Sequence, residues 1–268
     1  MRYKLTPFPP SPSDGLRRNK KGAFTLIELL VVVTLLAVLM GLLSPALKQA
    51  RGRAQQIKCM SNLRQLGLAL TSYANNYDGW IPPYSLTAHG YSYPRSTWPG
   101  LLMAEGYIPG GNGTEMRDSS YTGIMRCPSL PITATPGKNN YNYLKSYGMR
   151  GTYNSSMSPT LQFWNILNES DPAQKIWIAD TASLSADPNF TNNQIHYFDG
   201  GFNLPKGHTL TLVSLIHLRH GGVANAWFLD GHVEGLTEEK AMEYARQSSG
   251  FDTGPGRIAR ENFSPVDF

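Results

Sequence analysis

Residues 24–43, FTLIELLVVVTLLAVLMGLL, form an apolar run of twenty positions that carries a single charge, Glu28. As a helix rising ~1.5 Å per residue, the run would span about 30 Å, the hydrocarbon thickness of a bilayer. Beyond it the pattern changes from continuous to periodic. Ala46, Leu47, Ala50, Ala54 and Ile57 recur at helical spacing, with Lys48, Arg51, Arg53 and Lys58 between them, and Leu63, Leu66, Leu68 and Leu70 carry the register on. The pattern predicts one helix that starts in the apolar run, becomes amphipathic and reaches about Tyr73, with Gly79 and the Pro82-Pro83 pair ending it. A secretory signal peptide would have a shorter apolar core followed by a small-residue cleavage site.

Shorter elements follow. Residues 96–110 (STWPGLLMAEGYIPG) predict a short helix ending near Gly106. The GGNG segment at 110–113 reads as a loop rather than a phosphate cradle, since no strand precedes it and no GK[ST] follows. Residues 124–131 predict a strand end and turn, and 141–154, 175–182, 196–201 and 211–218 predict strands or strand–turn pieces. Residues 221–236, GGVANAWFLDGHVEGL, give the strongest hairpin signal, with Asp230-Gly231 as a type I′ turn. A two-residue loop would pair Leu229 with His232, Phe228 with Val233 and Trp227 with Glu234. Residues 237–249 predict a helix capped by Thr237, and the last residues predict a loose tail. The fold class expected is α+β: a long N-terminal helix whose second half packs on an antiparallel sheet.

Composition adds little to this until the charge is located. The net charge of +5 suggests a nucleic-acid partner. However, residues 1–23 hold six basic residues (Arg2, Lys4, Arg17, Arg18, Lys20, Lys21) against one acid, Asp14, and the remaining 18 basic and 18 acidic residues cancel. The excess sits immediately before the apolar run, where the positive-inside rule places it for a cytoplasmic N-terminus. No nucleic-acid partner is expected.

A plain anchor does not account for Glu28. A carboxylate at the centre of a membrane helix costs on the order of 2.5–3.5 kcal/mol on insertion scales, and less near its end. The string KKGAFTLIELLVVVTLLAVLMGLLSPALKQAR, residues 20–51, resembles the N-terminus of type IV prepilins and type II secretion pseudopilins. In that family a basic leader is cut before a Phe that becomes N-methylated, a Glu follows at mature position five, and a Pro often stands at twenty-two. Counting Phe24 as one places Glu28 at five and Pro45 at twenty-two. The residue before the cut is usually Gly. Here it is Ala23, and cutting after Gly22 instead would move Glu28 out of register, so the expected junction lies between Ala23 and Phe24. The resemblance implies that Glu28 neutralises the new α-amine of a neighbouring subunit, since a paired charge can be buried where a single one cannot. The alternative is an intrachain pair with Phe24, four residues away on one helix face. Pro45 removes one backbone donor just past the run and implies a kink or local melting during assembly.

A second resemblance covers the body. RHGGVANAWFLDGHVEGLT is similar to the motif of a prepilin-like family named H-X9-DG, which His220, Asp230 and Gly231 match; CMSNLRQLGLALTSYANNYDGWIPP and the RCPS and KSYG pieces match elsewhere. That family brings no catalytic activity with it. No enzyme is expected, for no GxSxG, HExxH or GxGxxG occurs. His217, His220, Asp230 and His232 invite a metal hypothesis. A straight strand over 221–229 would separate His220 from Asp230 by about 30 Å. Asp230 is therefore expected to stabilise its own turn, and His220 to satisfy a backbone group at the strand entry, with no metal assigned. The pseudopilin resemblance also raises a calcium loop near the C-terminus, for which Asp199 and Asp252 are candidate oxygens, and neither stands in a carboxylate-dense loop. Export of the body would allow a disulfide between Cys59 and Cys127; the alternative is two partly buried free thiols. Tyr84, Tyr91, Tyr93 and Trp98 either stack on sugars or cover the long helix.

Together these readings predict a basic leader over 1–23, a transmembrane half-helix over 24–43, an amphipathic half over 44–76 and an α+β head over 77–268. The resemblance implies prepilin peptidase, other pilin or pseudopilin subunits and inner-membrane lipid as partners. It implies a single-pass protein of the bacterial inner membrane, with its N-terminus cytoplasmic and its head periplasmic or extracellular. The other function considered is a membrane-anchored binding module, for instance for a glycan, that uses the pilin-like segment for export alone.

Overall fold

The computed structural model describes residues 25–82, 97–109, 123–129, 147–151, 164–184, 197–199, 213–247, 257–259 and 265–267. Helix α1 runs from Leu26 to Asn76 and continues through Pro45. The chain divides between Leu47 and Lys48 into two compact units. In the first unit the described apolar side chains, from Leu26 to Leu47, are exposed. The helix is long and apolar enough to cross a membrane.

In the second unit the rest of α1 buries Cys59, Asn62, Leu63, Leu66, Gly67, Ala69, Leu70 and Ala74. That three-and-four spacing lines one face of the helix. Asp78 and Gly79 then take positive φ, 50° and 84°, and turn the chain away. Helix α2, Trp98–Ala104, begins at Thr97, whose hydroxyl accepts the Gly100 N–H. The predicted GGNG loop at 110–113 lies outside the described residues, and residues 123–129 form a turn.

Nine strands follow among the described residues: β1 Gly148–Gly151, β2 Ile176–Ala179, β3 Thr181–Leu184, β4 Tyr197–Asp199, β5 Val213–His217, β6 Val223–Phe228, β7 Val233–Thr237, β8 Arg257–Ala259 and β9 Pro265–Asp267. Helix α3, Glu238–Gln247, stands between β7 and β8. The strands make two sheets, one in the order β4-β1-β2-β6-β7 and one in the order β3-β5-β8-β9. Pairing is antiparallel except between β1 and β4 and between β5 and β8, which run parallel. The architecture is α+β with a pilin-like layout. Instead of a loose tail, part of the C-terminal segment is strand: β8 and β9 pair at the edge of the second sheet.

The first sheet separates two cores. Buried side chains of α1 and α2 meet Tyr147, Met149, Trp177, Ile178 and Trp227 on one side. Ile176, Ala179, Ala224, Ala226, Phe228 and Leu236 meet Ala241 of α3 on the other. Alternation along β6 makes this possible: Ala224, Ala226 and Phe228 face one core, Trp227 faces the other, and Asn225 reaches Gln56 of α1.

The hairpin register differs from the sequence expectation. Trp227 pairs with Val233 and Ala226 with Glu234. The loop has three residues, because the Gly231 N–H donates to the Phe228 carbonyl at 2.9 Å and the Phe228 N–H to the His232 carbonyl at 3.0 Å. A type I′ turn needs positive φ at both central residues, yet only Gly231 has it, at 97°. A type I turn closed by a left-handed Gly results. The extra residue brings Val233, rather than Glu234, opposite Trp227 and against the α1-side core. Glu234 instead meets Lys240 and Tyr244 of α3.

Gly67 lets α1 approach the sheet closely. A Cβ there would stand 2.1–2.6 Å from atoms of the Trp227 indole. Alanine gains about 1 kcal/mol of helix propensity over glycine. Overpacking a core costs about 1–3 kcal/mol, and the indole is held on both sides. Gly67→Ala is therefore expected to lower the urea midpoint of the detergent-solubilised chain. Gly52→Ala, on an open stretch of the same helix with nothing within 4 Å, should raise it slightly. Equal shifts for the two variants would show that the close approach has no energetic consequence.

Candidate functional site

At the start of α1, Thr25 and Glu28 hold each other. The Glu28 carboxylate accepts the Thr25 N–H at 2.9 Å and its hydroxyl at 2.8 Å, while the Thr25 Oγ1 accepts the Glu28 N–H at 3.3 Å. This is a capping box, in which the N-cap and third residues satisfy each other's otherwise orphaned donors. Its sequence signature, Thr-x-x-Glu just before an apolar run, was legible but masked by the question of membrane burial. Phe24 and Ala23 lie outside the described residues. Pro45 sits within α1 as helix.

In the second unit four side chains distant in sequence converge. Cys59 comes from α1 and Cys127 from the turn at 123–129. Asp180 is the single residue between β2 and β3, and His220 lies in the turn between β5 and β6. One ligand atom from each lies within 4.8 Å of all the others. The 175–182 segment, expected as one strand, breaks at Asp180: β2 belongs to the first sheet and β3 to the second. The β5–β6 connection crosses between the same two sheets, so Asp180 and His220 meet where the chain passes from one to the other. Asp180 accepts the Asn225 N–H at 2.8 Å, and its backbone carbonyl accepts the His217 N–H at 2.8 Å.

The polar atoms are closely engaged. The Cys59 Sγ lies 2.9 Å from the Tyr147 hydroxyl and 3.3 Å from Asp180 Oδ1. Asn62 Nδ2 donates to the Arg126 carbonyl at 3.0 Å and lies 3.4 Å from the same tyrosine oxygen. His220 Nε2 lies 3.4 Å from Cys127 Sγ and 3.2 Å from Asp180 Oδ2, while its Nδ1 lies 3.2 Å from Ser129 Oγ. Arg219 Nε stands 3.8 Å from Asp180 Oδ1, and its guanidinium also donates to the Thr181 carbonyl. The charged centre of this network is buried; the Asp180 side chain is 0% exposed and that of His220 1%.

Electrostatics follows from that burial. Burial disfavours the Asp180 carboxylate, but Arg219, His220 and the Asn225 N–H outweigh it and hold its pKa below the usual range. Burial opposes charge on His220 too, yet its bonds to Asp180 and Cys127 push it up to about 9. Burial, then Cys127 and Asp180, drive the Cys59 thiol upward. Cys127 is driven up by burial, but hydrogen bonds from Cys59 and His220, together with Arg219, bring it down to about 6.

His220 consequently does not serve a backbone group with its ring, as the sequence had implied; it enters the cluster. Asp230 stands at the far end of β6, where its carboxylate accepts the His232 N–H at 3.1 Å and meets His232 Nδ1 at 2.5 Å. The His232 ring stacks on Phe228 with centroids 4.1 Å apart. His217 is buried at the end of β5. No disulfide joins Cys59 and Cys127, and both are buried. Asp199 ends β4, and Asp252 lies outside the described residues. Trp98 is completely buried in the core, while Tyr84, Tyr91 and Tyr93 lie outside the described residues. Sequence reasoning missed Asp180 and Arg219. A lone acid inside the apolar run IWIADTA was the available signal.

Residues 18–44 match the family model described as the prokaryotic N-terminal methylation motif. No curated protein and no solved structure matches the chain. The motif supports a type IV pilin-like precursor of the kind processed by prepilin peptidase, and with the exposed apolar helix it is consistent with a membrane anchor.

Proposed function

We propose that this chain is a prepilin-like subunit of the H-X9-DG kind, cut between Ala23 and Phe24, N-methylated on Phe24 and held in the inner membrane by residues 24–43. It then assembles with other pilin or pseudopilin subunits into a pilus or a type II secretion-type pseudopilus, with its head on the far side of the membrane, and has no reaction of its own. The observation that carries this reading is the methylation motif over 18–44, within which Glu28 falls five residues into the expected mature chain. A generic anchor gains nothing from a carboxylate inside its apolar run. A subunit whose new α-amine must enter an apolar bundle gains a partner for it. An anchored glycan-binding module draws no support from Trp98, whose ring is used by the core.

Mass spectrometry of the chain extracted from membranes tests the proposal. The expected N-terminal peptide begins at Phe24 and carries one added methyl group. A chain that keeps Met1 in cells with active prepilin peptidase would rule the proposal out.

A further inference from the structure

We propose that Cys59, Cys127, Asp180 and His220 form a structural zinc site that fastens the second half of α1 to both sheets. The proposal is independent of the fate of the N-terminus. Its first support is the donor set. Two thiols, one imidazole and one carboxylate suit a borderline-soft divalent ion, whereas calcium and magnesium require several oxygens. A tetrahedral zinc with bonds of about 2.0–2.3 Å has ligand–ligand edges of about 3.3–3.8 Å. With Asp180 ligating through Oδ2, two edges already measure 3.2–3.4 Å, Cys127 to His220 and His220 to Asp180, and the Cys59 sulfur lies 3.3 Å from the other oxygen of the same carboxylate.

The surroundings orient these ligands as metal sites do. His220 turns Nε2 inward and keeps Nδ1 3.2 Å from the Ser129 hydroxyl, a partner for the Nδ1 proton when Nε2 ligates a metal. Asp180 is held by the Asn225 N–H and by Arg219. The Tyr147 hydroxyl lies 2.9 Å from the Cys59 sulfur, placed to donate to a thiolate.

Charge also balances. On binding, the metal forms two bonds to thiolate sulfurs, one to imidazole nitrogen and one to carboxylate oxygen. The two thiol protons leave to water as the thiolate bonds form, so one divalent cation replaces two protons. No electrons are transferred. Four protein ligands complete the tetrahedron, which makes the site structural rather than catalytic. Its position, joining α1 to the β2–β3 and β5–β6 crossings, ties together segments that neighbouring sequence cannot.

The rival is a Cys59–Cys127 disulfide. The test uses the full chain, purified in detergent with neither added metal nor reductant. Elemental analysis is expected to find about one zinc per chain, with both thiols titrating as free once the protein is denatured and the metal chelated. Replacement by Co²⁺ is expected to give the strong visible absorption of a tetrahedral centre together with thiolate-to-cobalt charge transfer. Ser129→Ala should weaken zinc binding by about 10-fold, as loss of an outer-shell partner does, and His220→Gln by considerably more. Chelation should lower the thermal midpoint, and zinc but not magnesium should restore it; this keeps the test decisive if a cysteine variant fails to fold. A disulfide in the purified chain would overturn the proposal. So would reduced protein that takes up Co²⁺ without charge transfer, or a folded His220→Gln variant that binds zinc as the wild type does.

Discussion

Glu28→Ala is expected to abolish incorporation into filaments while leaving membrane insertion intact. Glu28→Gln separates the two physical roles open to this side chain. In the structure the carboxylate closes a capping box with Thr25, worth about 0.5–2 kcal/mol. A glutamine oxygen still accepts both Thr25 donors, so the cap survives in Glu28→Gln and only the charge is lost. If Glu28 pairs with the α-amine of a neighbouring subunit, Gln fails in assembly as completely as Ala. Insertion does not suffer in either case, because removing the charge relieves up to about 2.5–3.5 kcal/mol of transfer cost. The measurements are pelleted filament or cross-linked complex for assembly, and carbonate-resistant membrane association for insertion. Wild-type assembly by Glu28→Gln would reduce Glu28 to a helix cap and remove the charge-pairing role.

Asp180→Ala has the largest effect expected on the head. The substitution leaves the Arg219 side chain, 3% exposed, without its carboxylate, and the Asn225 N–H without its acceptor. Breaking one side of a buried ion pair costs about 3–5 kcal/mol, because the remaining charge stays out of water. The loss should appear as an early urea transition in the fluorescence of Trp98, Trp177 and Trp227, all buried. Working with chelator present keeps metal binding out of the comparison. Asp180→Ala combined with Arg219→Met should recover much of the lost stability, since no charge is then stranded. A single variant within about 1 kcal/mol of wild type would mean that Arg219 finds other partners.

The elements themselves were largely readable, and for a local reason. Twenty apolar residues at 24–43, then a three-and-four spacing through Leu70, predict a long helix from neighbouring residues alone, and α1 runs from Leu26 to Asn76. Thr237 marked a helix start in the same way. Asp230-Gly231 marked a turn, but not its length. A single positive φ at Gly231 gives a three-residue loop, and which side of β7 meets α1 and which meets α3 follows from packing across the sheet.

What the linear chain already contained was therefore the long apolar helix, the spacing of Glu28 from Phe24, and the position of most helices and strands, because each depends on residues a few positions apart. The tertiary structure decided what His220 does. Its spacing to Asp230 offered its ring no partner, since β6 carries the two to opposite ends of a strand. The carboxylate its ring meets, Asp180, lies forty residues upstream. It meets His220, Cys59 and Cys127 only because two connections cross between the same pair of sheets beside the buried face of α1. Convergence of that kind arises from long-range packing, which no local spacing encodes.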